Sequence, residues 1–540
     1  MVKAALANSL WWLASSRSYA KFSSSLQDPD AVQKQVLRSF LQRNASSAFA
    51  REHGISERST PDEFARRVPV RSYDELLPWI KRIQRGEKRV LTSDPVTRFV
   101  PTSGSSAAHK LIPYTATMHS QLNCAISPWI FDLFRSRPQL TLGSAYWSIS
   151  PISSEAFQFA EHSSVPVGFD DDAAYLGKWR KSLINAIMAV PSELREITTI
   201  DDWRYVTALL LLRQRDLRLV SVWHPSFFTL LLQAIHDHWD SLLSDISSGR
   251  CAVANRLPVA VYAALRLSPD SRRARELRHC NPSEPNLLWP QLGVISCWTD
   301  ANAAGPAAEL TRLFGEGVIQ SKGLIATEGA VSIPLRGVHP LAIRSHYFEF
   351  EDEKGSVLRS FAELRVGREY KVIFTTGGGL WRYRLDDLVV VDGVLGQTPS
   401  IRFVGKCAQV SDRVGEKLSD GFVSSVFLRL FDSMGIRPSF AMLAPDMHAG
   451  QSAYTLYLNA DVPEKTSADL DLLLSNNPHY AYCRQLGQLR APRLFRVFDD
   501  AHTAYCCRLE SLGKRLGDIK PVGLSILDDW SSRLGGHYIK

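Results

Sequence analysis

Apolar strand-like segments alternate with long apolar helical segments through much of the chain, up to about residue 330. The sequence DLRLVSVW at residues 216–223 predicts a buried strand, and SFFTLLLQAIHDHWDSLL at residues 226–243 predicts the helix that follows it. LGVISCW at residues 292–298 predicts another strand. Strands and helices that alternate over short loops are typical of a parallel sheet covered by helices on both faces. Ligands bind at the carboxyl ends of the strands in such sheets, so a site is expected at that edge.

The pattern changes towards the carboxyl terminus. Closely spaced strands are predicted between residues 369 and 404. The last 130 residues combine three strand-like segments with a helical stretch at residues 466–489 and a terminal helix near residues 501–512. A chain of 540 residues is too long for one hydrophobic core. We therefore predict an α/β protein with a large domain at residues 1–410 and a compact α+β domain at residues 411–540.

The first 50 residues predict helices and not a targeting segment. Leu37, Phe40 and Leu41 lie at helical spacing within residues 32–50 and indicate a helix that faces the core. The earlier stretch AALANSLWWLA is interrupted by two polar residues and lacks a convincing cleavage site, so we expect an amphipathic first helix there. No segment reaches the length of about 20 apolar residues that a membrane span requires.

Charge and cysteine usage narrow the range of partners. A net charge of +8 suits a partner that carries phosphates or carboxylates, but the arginines are scattered along the chain. We therefore expect neither a nucleic-acid nor a membrane partner. The eight cysteines show no C-x-x-C spacing, which argues against a zinc site and against a disulfide framework. This usage fits a reducing, cytoplasmic location.

One loop concentrates hydroxyl groups around a single glycine and a lysine. It lies within VPTSGSSAAHKLIPY, residues 100–114, directly after a strand-like segment. Gly104 permits a tight turn, and backbone N–H groups, hydroxyl groups and the charge of Lys110 can together hold a phosphate chain. The Walker pattern is missing, and a serine-rich surface turn is the alternative interpretation.

Two later loops carry carboxylates at strand ends. Glu328 in GLIATEGAVSIPL can bind a Mg²⁺ ion that bridges phosphate oxygens, and an exposed turn acid is the alternative. Asp386 and Asp387 interrupt the strand-like sequence RYRLDDLVVV, so at least one of them must find a partner or face solvent. A ribose can be that partner, and a salt bridge to Arg382 or Arg384 is the alternative.

The order of these motifs is similar to that of a known superfamily. TSGSSAAHK, ATEG and YRLDDL, followed by FVGKCAQVSDRVGEKL, resemble the signature loops of acyl-adenylate-forming enzymes such as luciferases and acyl-CoA ligases. The segment at residues 68–91, together with WRYRLDDLV and GDIKPVG, resembles the auxin-responsive, or Gretchen Hagen, family of acyl-acid amido synthetases. The resemblance extends from about residue 32 to residue 521.

The resemblance implies a fold, a reaction and cofactors. The implied fold is a large amino-terminal adenylate-forming domain with parallel sheets and helices, joined to a small mobile α+β carboxyl-terminal domain. The implied reaction is ATP-dependent and AMP-forming. A carboxylic acid becomes an acyl-adenylate, and an amino acid or another amine then displaces AMP to give an amide. ATP and Mg²⁺ are the implied cofactors.

The resemblance also implies roles for individual residues. Lys520, Glu328 and Lys110 are the implied catalytic residues; Glu328 also binds the metal, and Lys520 reaches the α-phosphate from the carboxyl-terminal domain. The implied nucleotide contacts are Ser103, Gly104, Ser105, Ser106, Lys110, Thr327, Glu328, Tyr383, Asp387 and Lys406. Among them, Asp387 is implied for the ribose, and Lys406 occupies a position usually held by arginine.

Some positions depart from the superfamily pattern and keep other functions open. Ala107 stands where glycine is usual in the phosphate loop, and Asp386 stands where glycine usually precedes the ribose aspartate. It therefore stays open which of the two acids binds the ribose. An acyl-CoA ligase that uses the same adenylate, or a nucleotide-binding protein of this fold without turnover, are the alternative functions. His224 follows a predicted strand, and we expect it to be held by local hydrogen bonds in preference to lining an acid pocket.

Overall fold

The structure is a computed structural model of the whole chain. The residues that it describes are 2–102, 110–148, 163–168, 186–406, 410–448, 451–498, 501–512 and 519–539. The helices and strands are numbered in chain order within these residues.

Helices form the amino-terminal part of the fold. They are α1 (Val2–Ser25), α2 (Pro29–Asn44), α3 (Ala48–Glu52), α4 (Pro61–Arg67) and α5 (Tyr73–Gln84). The predicted first helix is α1, which buries Trp11 with its ring centroid 6.2 Å from that of Phe134. The helix predicted over residues 32–50 is divided into α2 and α3, because Ser47 leaves the helical conformation and caps α3 by accepting a hydrogen bond from the N–H of Ala50.

A hairpin and a long helix lead into the first sheet. The hairpin pairs β1 (Arg98–Thr102) with β2 (Lys110–Tyr114), and α6 (Ala116–Ser136) follows it. The sheet contains β3 (Ser144–Trp147), β4 (Leu217–Ser221), β5 (Val294–Cys297) and β6 (Ile319–Ser321). All three strand pairs are parallel, in the order β3-β4-β5-β6. The predicted parallel sheet and both of its predicted strands are therefore confirmed.

Helices accompany this sheet along the chain. They are α7 (Ile200–Arg213), α8 (Pro225–Asp237), α9 (Trp239–Ser248), α10 (Val259–Leu265), α11 (Ser271–Arg278), α12 (Pro285–Leu288) and α13 (Ala304–Phe314). The single helix predicted over residues 226–243 is two helices, α8 and α9. The break lies at His238. Its main-chain N–H ends α8 by donating a hydrogen bond of 3.1 Å to the carbonyl oxygen of Ala234.

A second hairpin and an antiparallel sheet follow. The hairpin consists of β7 (Ile325–Ala326) and β8 (Gly329–Ala330). The sheet contains β9 (Tyr347–Glu351), β10 (Val357–Leu358), β11 (Glu369–Thr375), β12 (Tyr383–Leu395) and β13 (Thr398–Lys406), in the order β10-β9-β11-β12-β13. The closely spaced strands predicted from residue 369 onward correspond to β11, β12 and β13.

The carboxyl-terminal part is a smaller α+β unit. Its elements are β14 (Val410–Ser411), β15 (Leu418–Ser419), α14 (Asp420–Met434), β16 (Ala441–His448), β17 (Gln451–Leu458), α15 (Thr466–Leu474), α16 (Pro478–Gln485), β18 (Arg493–Val497), α17 (Ala501–Glu510) and β19 (Gly536–Tyr538). The order in its sheet is β16-β17-β18-β19. The helix predicted over residues 466–489 is divided into α15 and α16, because Asn477 caps α16 and Pro478 begins it.

Buried hydrophobic residues form separate clusters in the two parts of the chain. Two clusters contain residues between Ala4 and Ile401, and two contain residues between Leu418 and Leu534. The predicted fold class, an α/β protein with a smaller α+β unit at its carboxyl end, is confirmed. The domain boundary at residue 410 stays a prediction. No helix among the described residues is long and apolar enough to cross a membrane.

Candidate active site

The predicted phosphate loop connects the strands of the first hairpin. Part of it lies outside the described residues, namely Ser103, Gly104, Ser105, Ser106 and Ala107. Both ends are described, and Thr102 at the end of β1 pairs with Lys110 at the start of β2. Lys110 therefore stands at the base of the loop, on a strand whose other residues are buried.

Lys110 connects the first predicted loop to the third. Its ammonium nitrogen Nζ lies 3.3 Å from the hydroxyl oxygen of Tyr383 and 3.5 Å from Oδ2 of Asp386. Nζ also lies 5.8 Å from the ring centroid of Tyr73. The side chains of Lys110 and Asp386 are 20% and 40% exposed, so solvent and ligands can reach this ion pair. A pair as exposed as this contributes only about 0–1 kcal/mol to stability.

The second predicted loop is the tip of the β7–β8 hairpin. Thr327 and Glu328 form the tip, and the hydroxyl of Tyr114 at the end of β2 donates a hydrogen bond of 2.6 Å to the carbonyl oxygen of Thr327. Glu328 is 8% exposed. Burial raises the pKa of Tyr73 to about 12, and the charge of Glu328 adds to this increase. The second loop is therefore held against the strand that follows the first.

Tyr383 lies where the three loops meet. It is fully buried, and burial raises the pKa of its hydroxyl well above the ordinary value. The charges of Glu328, Asp386 and Asp387 raise it further. The structure thus brings together residues from all three loops around a tyrosine that stays protonated.

A bulge in β12 presents the two neighbouring aspartates differently. Residues 385–387 lie opposite Val372 alone on β11, because the strand register shifts there. Bulges of this kind redirect side chains and are common beside active sites. Asp387 is 4% exposed, whereas the side chain of Asp386 is 40% exposed and pairs with Lys110.

The arginines next to these aspartates bind glutamates of β9. Arg382 donates two hydrogen bonds to Glu349, of 2.7 and 2.9 Å, and Arg384 donates one of 3.2 Å to Glu351. Asp386 takes Lys110 as its partner. The alternative of an arginine salt bridge is therefore wrong for Asp386.

Gln121 and His346 connect the second loop to the turn between β11 and β12, and no motif in the sequence indicates either residue. Oε1 of Gln121 accepts a hydrogen bond of 2.7 Å from the N–H of Gly377 and lies 3.1 Å from Nδ1 of His346. Nε2 of His346 accepts a hydrogen bond of 3.2 Å from the N–H of Ala330. The proton of the neutral ring therefore lies on Nδ1, and the ring holds the base of the β7–β8 hairpin.

The same turn packs directly against the first hairpin. The hydroxyl of Thr115 donates a hydrogen bond of 2.8 Å to the carbonyl oxygen of Gly377. At Gly378 a Cβ atom would collide with the carbonyl oxygen of Pro113 on β2, so only glycine fits there. The three consecutive glycines thus let the turn approach the strand that carries Lys110.

His346 gives the protein a measurable dependence on pH. Burial lowers the pKa of His346 to about 3, whereas a histidine in an unfolded chain titrates near 6.5. Below pH about 6.5 the unfolded chain binds a proton that folded His346 does not, so stability decreases as the pH falls. We expect His346 to remove about 2 kcal/mol from the free energy of unfolding between pH 7.5 and pH 5.

Urea unfolding of His346→Asn at both pH values tests this prediction. The difference in the free energy of unfolding between wild type and variant should shrink at pH 5, because the variant lacks the buried imidazole that destabilises wild type at that pH. Replacement of the exposed His236 by asparagine is the matched control and should leave the dependence on pH unchanged. A constant difference between wild type and His346→Asn at both pH values would contradict the prediction.

The remaining predicted residues lie at other points of the structure. Lys406 is the last residue of β13 and the register partner of Asp387 on β12. Nζ of Lys520 lies 3.8 Å from the ring centroid of Trp298, at the carboxyl end of β5. His224 caps α8 and shares a hydrogen bond of 2.6 Å with Ser226, so its predicted local bonding is confirmed.

Comparison with known families identifies the chain. The GH3 family N-terminal domain matches residues 18–317, which is more than half of the chain, and the GH3 family central domain matches residues 339–406. The chain belongs to the GH3 family. The resemblance inferred from its motifs is therefore confirmed.

Relatives of this GH3 chain include several plant proteins. It is 25% identical over 397 residues to a putative indole-3-acetic acid-amido synthetase of Oryza sativa subsp. japonica, covering 69% of this chain and 78% of the relative. It is 26% identical over 409 residues to an indole-3-acetic acid-amido synthetase of Arabidopsis thaliana, covering 69% and 67%. A jasmonoyl–L-amino acid synthetase of Nicotiana attenuata is 23% identical over 413 residues, covering 71% and 70%.

Solved structures share the fold of this GH3 chain over nearly its full length. The GH3.15 acyl acid amido synthetase in complex with 2,4-DB superposes with a TM-score of 0.84, covering 97% of both chains at 17% sequence identity. The likeness confirms the predicted adenylate-forming fold. The relatives are named as amido synthetases, so the predicted ligase class is confirmed at the level of the family.

Proposed function

We propose that the chain is an ATP-dependent, AMP-forming acyl-acid amido synthetase. The observation that carries the proposal is the contact between the three loops. Nζ of Lys110 lies 3.3 Å from the hydroxyl of Tyr383, on the same strand as Asp387, and Tyr114 donates a hydrogen bond to the hairpin tip that carries Glu328. A nucleoside triphosphate needs a cation for its phosphates, a carboxylate for its metal ion and an acceptor for its ribose hydroxyls. Membership of the GH3 family supports the amide-forming outcome.

The first step joins two anions. A carboxylate oxygen of the acid attacks the α-phosphorus of ATP, the bond from this phosphorus to the pyrophosphate oxygen breaks, and pyrophosphate leaves. The attack is opposed by charge repulsion until cations offset it, and we assign this role to Lys110 and Lys520. The carboxylate is already a nucleophile, so this step requires no general base.

The second step releases AMP. The amine nitrogen attacks the carbonyl carbon of the acyl-adenylate, the carbon–oxygen bond to AMP breaks, and the nitrogen loses one proton as the amide forms. We propose that Lys110 also holds the phosphate of the leaving AMP, whereas Lys520 acts in the first step alone. Tyr383 suits this environment, because its raised pKa keeps its hydroxyl protonated and able to donate a hydrogen bond.

Glu328 fits a magnesium site that uses a single protein carboxylate. Mg²⁺ keeps most of its water ligands and binds proteins through one or two carboxylates together with substrate phosphates. Glu328 is buried at the hairpin tip, and its charge contributes to the raised pKa of both Tyr73 and Tyr383. When bound, Mg²⁺ offsets the charge of the triphosphate. Glu328 at the hairpin tip is the residue that we propose to hold it.

The two aspartates of β12 should respond in opposite ways to loss of charge. We propose that Asp387 accepts hydrogen bonds from the ribose hydroxyls, whereas Asp386 pairs with Lys110 when no nucleotide is bound. Asp387→Asn should weaken ATP binding by roughly 10- to 100-fold, since hydrogen bonds to a charged group contribute about 1.5–3 kcal/mol. Asp386→Asn should strengthen ATP binding by about 2- to 5-fold, because Lys110 then has no ion pair to break before it binds the phosphates.

Calorimetric titration of each variant with ATP measures these two effects. Each variant is the control for the other, since both remove one negative charge from neighbouring positions of the same strand. If Asp386→Asn weakens binding and Asp387→Asn does not, the ribose acid is Asp386 and the assignment of Asp387 is wrong.

One assay separates this function from its alternatives. The protein is incubated with ATP, Mg²⁺ and a panel of carboxylic acids, starting from the acids named for the relatives: indole-3-acetic acid, jasmonic acid and 2,4-DB. We expect exchange of labelled pyrophosphate into ATP with at least one acid, and an amide after amino acids are added. Exchange with no acid supports a nucleotide-binding protein without turnover. A thioester formed with CoA, in place of an amide, supports an acyl-CoA ligase.

We propose a carboxylic acid and an amino acid or another amine as the partners of this chain in a cytoplasmic location. Six of the described cysteines are free thiols, which supports a reducing environment: Cys251, Cys280, Cys297, Cys483, Cys506 and Cys507. Reaction of the folded protein with a thiol reagent, before and after addition of dithiothreitol, checks this directly, because the count of free thiols should not increase.

A further inference from the structure

Lys520 bridges the two parts of the chain. Its main-chain carbonyl oxygen accepts a hydrogen bond of 2.9 Å from the hydroxyl of Tyr505 on α17. Its ammonium group lies over Trp298, which follows β5 of the parallel sheet. The backbone of Lys520 is thus held by the carboxyl-terminal part, and its charged end is held by the amino-terminal part.

The backbone anchor of Lys520 continues along the segment that carries it. Oδ1 of Asp420 accepts a hydrogen bond of 2.8 Å from the N–H of Leu524. Leu443 on β16 bonds the same segment twice, through its N–H to the carbonyl oxygen of Gly523 and through its own carbonyl oxygen to the N–H of Ser525, each at 2.8 Å. The start of the Lys520 side chain is therefore fixed, and the position of its ammonium group depends on what that group contacts.

Trp298 is itself held by neighbours on the sheet. Its main-chain N–H donates a hydrogen bond of 2.9 Å to the carbonyl oxygen of Trp223, and the ring centroids of the two tryptophans lie 5.5 Å apart. Nζ of Lys322 lies 4.4 Å from the ring centroid of Trp223. Nζ of Lys322 also donates hydrogen bonds of 2.9 Å to the hydroxyl of Ser221 and the carbonyl oxygen of Val222. The Trp298 ring therefore rests on a fixed support at the carboxyl ends of β4, β5 and β6.

This edge of the sheet is adjacent in the chain to the candidate active site. Lys322 follows β6, and the chain continues from it into the β7–β8 hairpin that carries Glu328. An aromatic ring attracts an ammonium group without neutralising it, whereas a carboxylate would form an ion pair. An ammonium group that lies on Trp298 therefore keeps its positive charge.

We propose that Trp298 is a positioning residue that holds the ammonium group of Lys520 in place for acyl-adenylate formation. The inference rests on the proposed function, in which Lys520 offsets charge at the α-phosphate. Trp298 acts through Lys520, so it should affect the step that uses Lys520 and leave the amide-forming step unchanged.

Two substitutions of Trp298 distinguish positioning from packing. Trp298→Phe keeps an aromatic face of weaker attraction, and Trp298→Leu removes it. We expect pyrophosphate exchange, measured with the panel acid that wild type exchanges fastest, to decrease in the order wild type, Trp298→Phe, Trp298→Leu. The decrease for Trp298→Leu should be roughly 2- to 30-fold, which corresponds to the range of cation–π energies. Amide formation from chemically prepared acyl-adenylate should stay at the wild-type rate in both variants.

A double-mutant cycle makes the test specific to Lys520. In the Lys520→Ala background, Trp298→Leu should have no further effect on pyrophosphate exchange, because the side chain that it positions is gone. Trp239→Leu is the matched control for loss of a half-buried tryptophan elsewhere in the amino-terminal part, and should leave exchange unchanged. Trp298→Phe keeps the test decisive if Trp298→Leu lowers the unfolding temperature too far.

Several outcomes would overturn the inference. Additive losses in the double variant, or equal losses in both half-reactions, would give Trp298 a packing role only. Faster exchange in Trp298→Leu would mean that the ring holds Lys520 away from the reaction. If Lys520→Ala slows exchange and Trp298→Leu does not, the positioning role alone fails. If Lys520→Ala leaves exchange unchanged, or no acid supports exchange in wild type, the proposed function fails first and the inference fails with it.

Discussion

Replacement of Lys520 by alanine is expected to slow acyl-adenylate formation by roughly 10²–10³, the cost of removing one donor that stabilises charge in a transition state. The carboxylate and the triphosphate are both anionic, so we expect this step to depend on the charge of Lys520. The second step starts from an acyl-adenylate that has already lost pyrophosphate. We therefore expect amide formation from prepared acyl-adenylate to stay near the wild-type rate. Pyrophosphate exchange and single-turnover amide formation measure the two steps separately.

The matched control for this substitution is Lys465→Ala, which removes an exposed lysine from the same part of the chain. It changes the net charge by the same amount and should leave both half-reactions unchanged. Equal losses in both half-reactions of Lys520→Ala would contradict the prediction. Such a result would place Lys520 at the phosphate in both steps, and a single arrangement of the two parts of the chain would then serve the whole reaction.

The elements that could be predicted from the sequence are those with a strong local signal. The strands β4, β5, β11 and β12 were recognised because their apolar, β-branched composition differs from that of the segments around them. The meeting of the three loops is implied by their resemblance to the signature loops of the acyl-adenylate-forming superfamily. Some predicted helices are pairs of helices in the structure, because each is interrupted at a single residue. His238 and Asn477 end or cap a helix through local hydrogen bonds, which periodicity does not register.

The rest of the candidate site depends on contacts between residues that are distant in the chain. Gln121 and His346 come from two segments without a motif, and only the fold brings the ring of His346 beneath the β7–β8 hairpin. The pairing of Lys110 with Asp386 depends on the bulge in β12, since a regular strand would place Asp386 differently. The contact of Lys520 with Trp298 depends on how the two parts of the chain meet. The spacing of residues along the sequence does not predict such contacts.

Replacement of Arg382 by methionine is expected to lower the free energy of unfolding by about 3–5 kcal/mol, the usual cost of removing one partner from a buried ion pair. The side chain of Glu349 is 1% exposed and would be left buried without its two hydrogen bonds from Arg382. The carbonyl oxygens of Ala65 and Val68 also lose the donor that Arg382 supplies at 2.8 and 2.6 Å. Urea unfolding measures the loss. Arg382 directly precedes Tyr383, so we also expect weaker binding of ATP.

Two further variants identify the cause of this loss. Arg384→Met removes the neighbouring arginine, whose side chain is 41% exposed and whose partner Glu351 also binds Lys371, and it should cost only about 0–1 kcal/mol. The double variant Arg382→Met with Glu349→Leu removes both buried charges, and should be more stable than Arg382→Met alone by roughly 2 kcal/mol, because apolar residues often replace a buried ion pair at little cost. If the double variant is no more stable than the single one, the two carbonyl oxygens account for the loss. Arg382 would then act mainly as a hydrogen-bond donor to α4 and its carboxyl end.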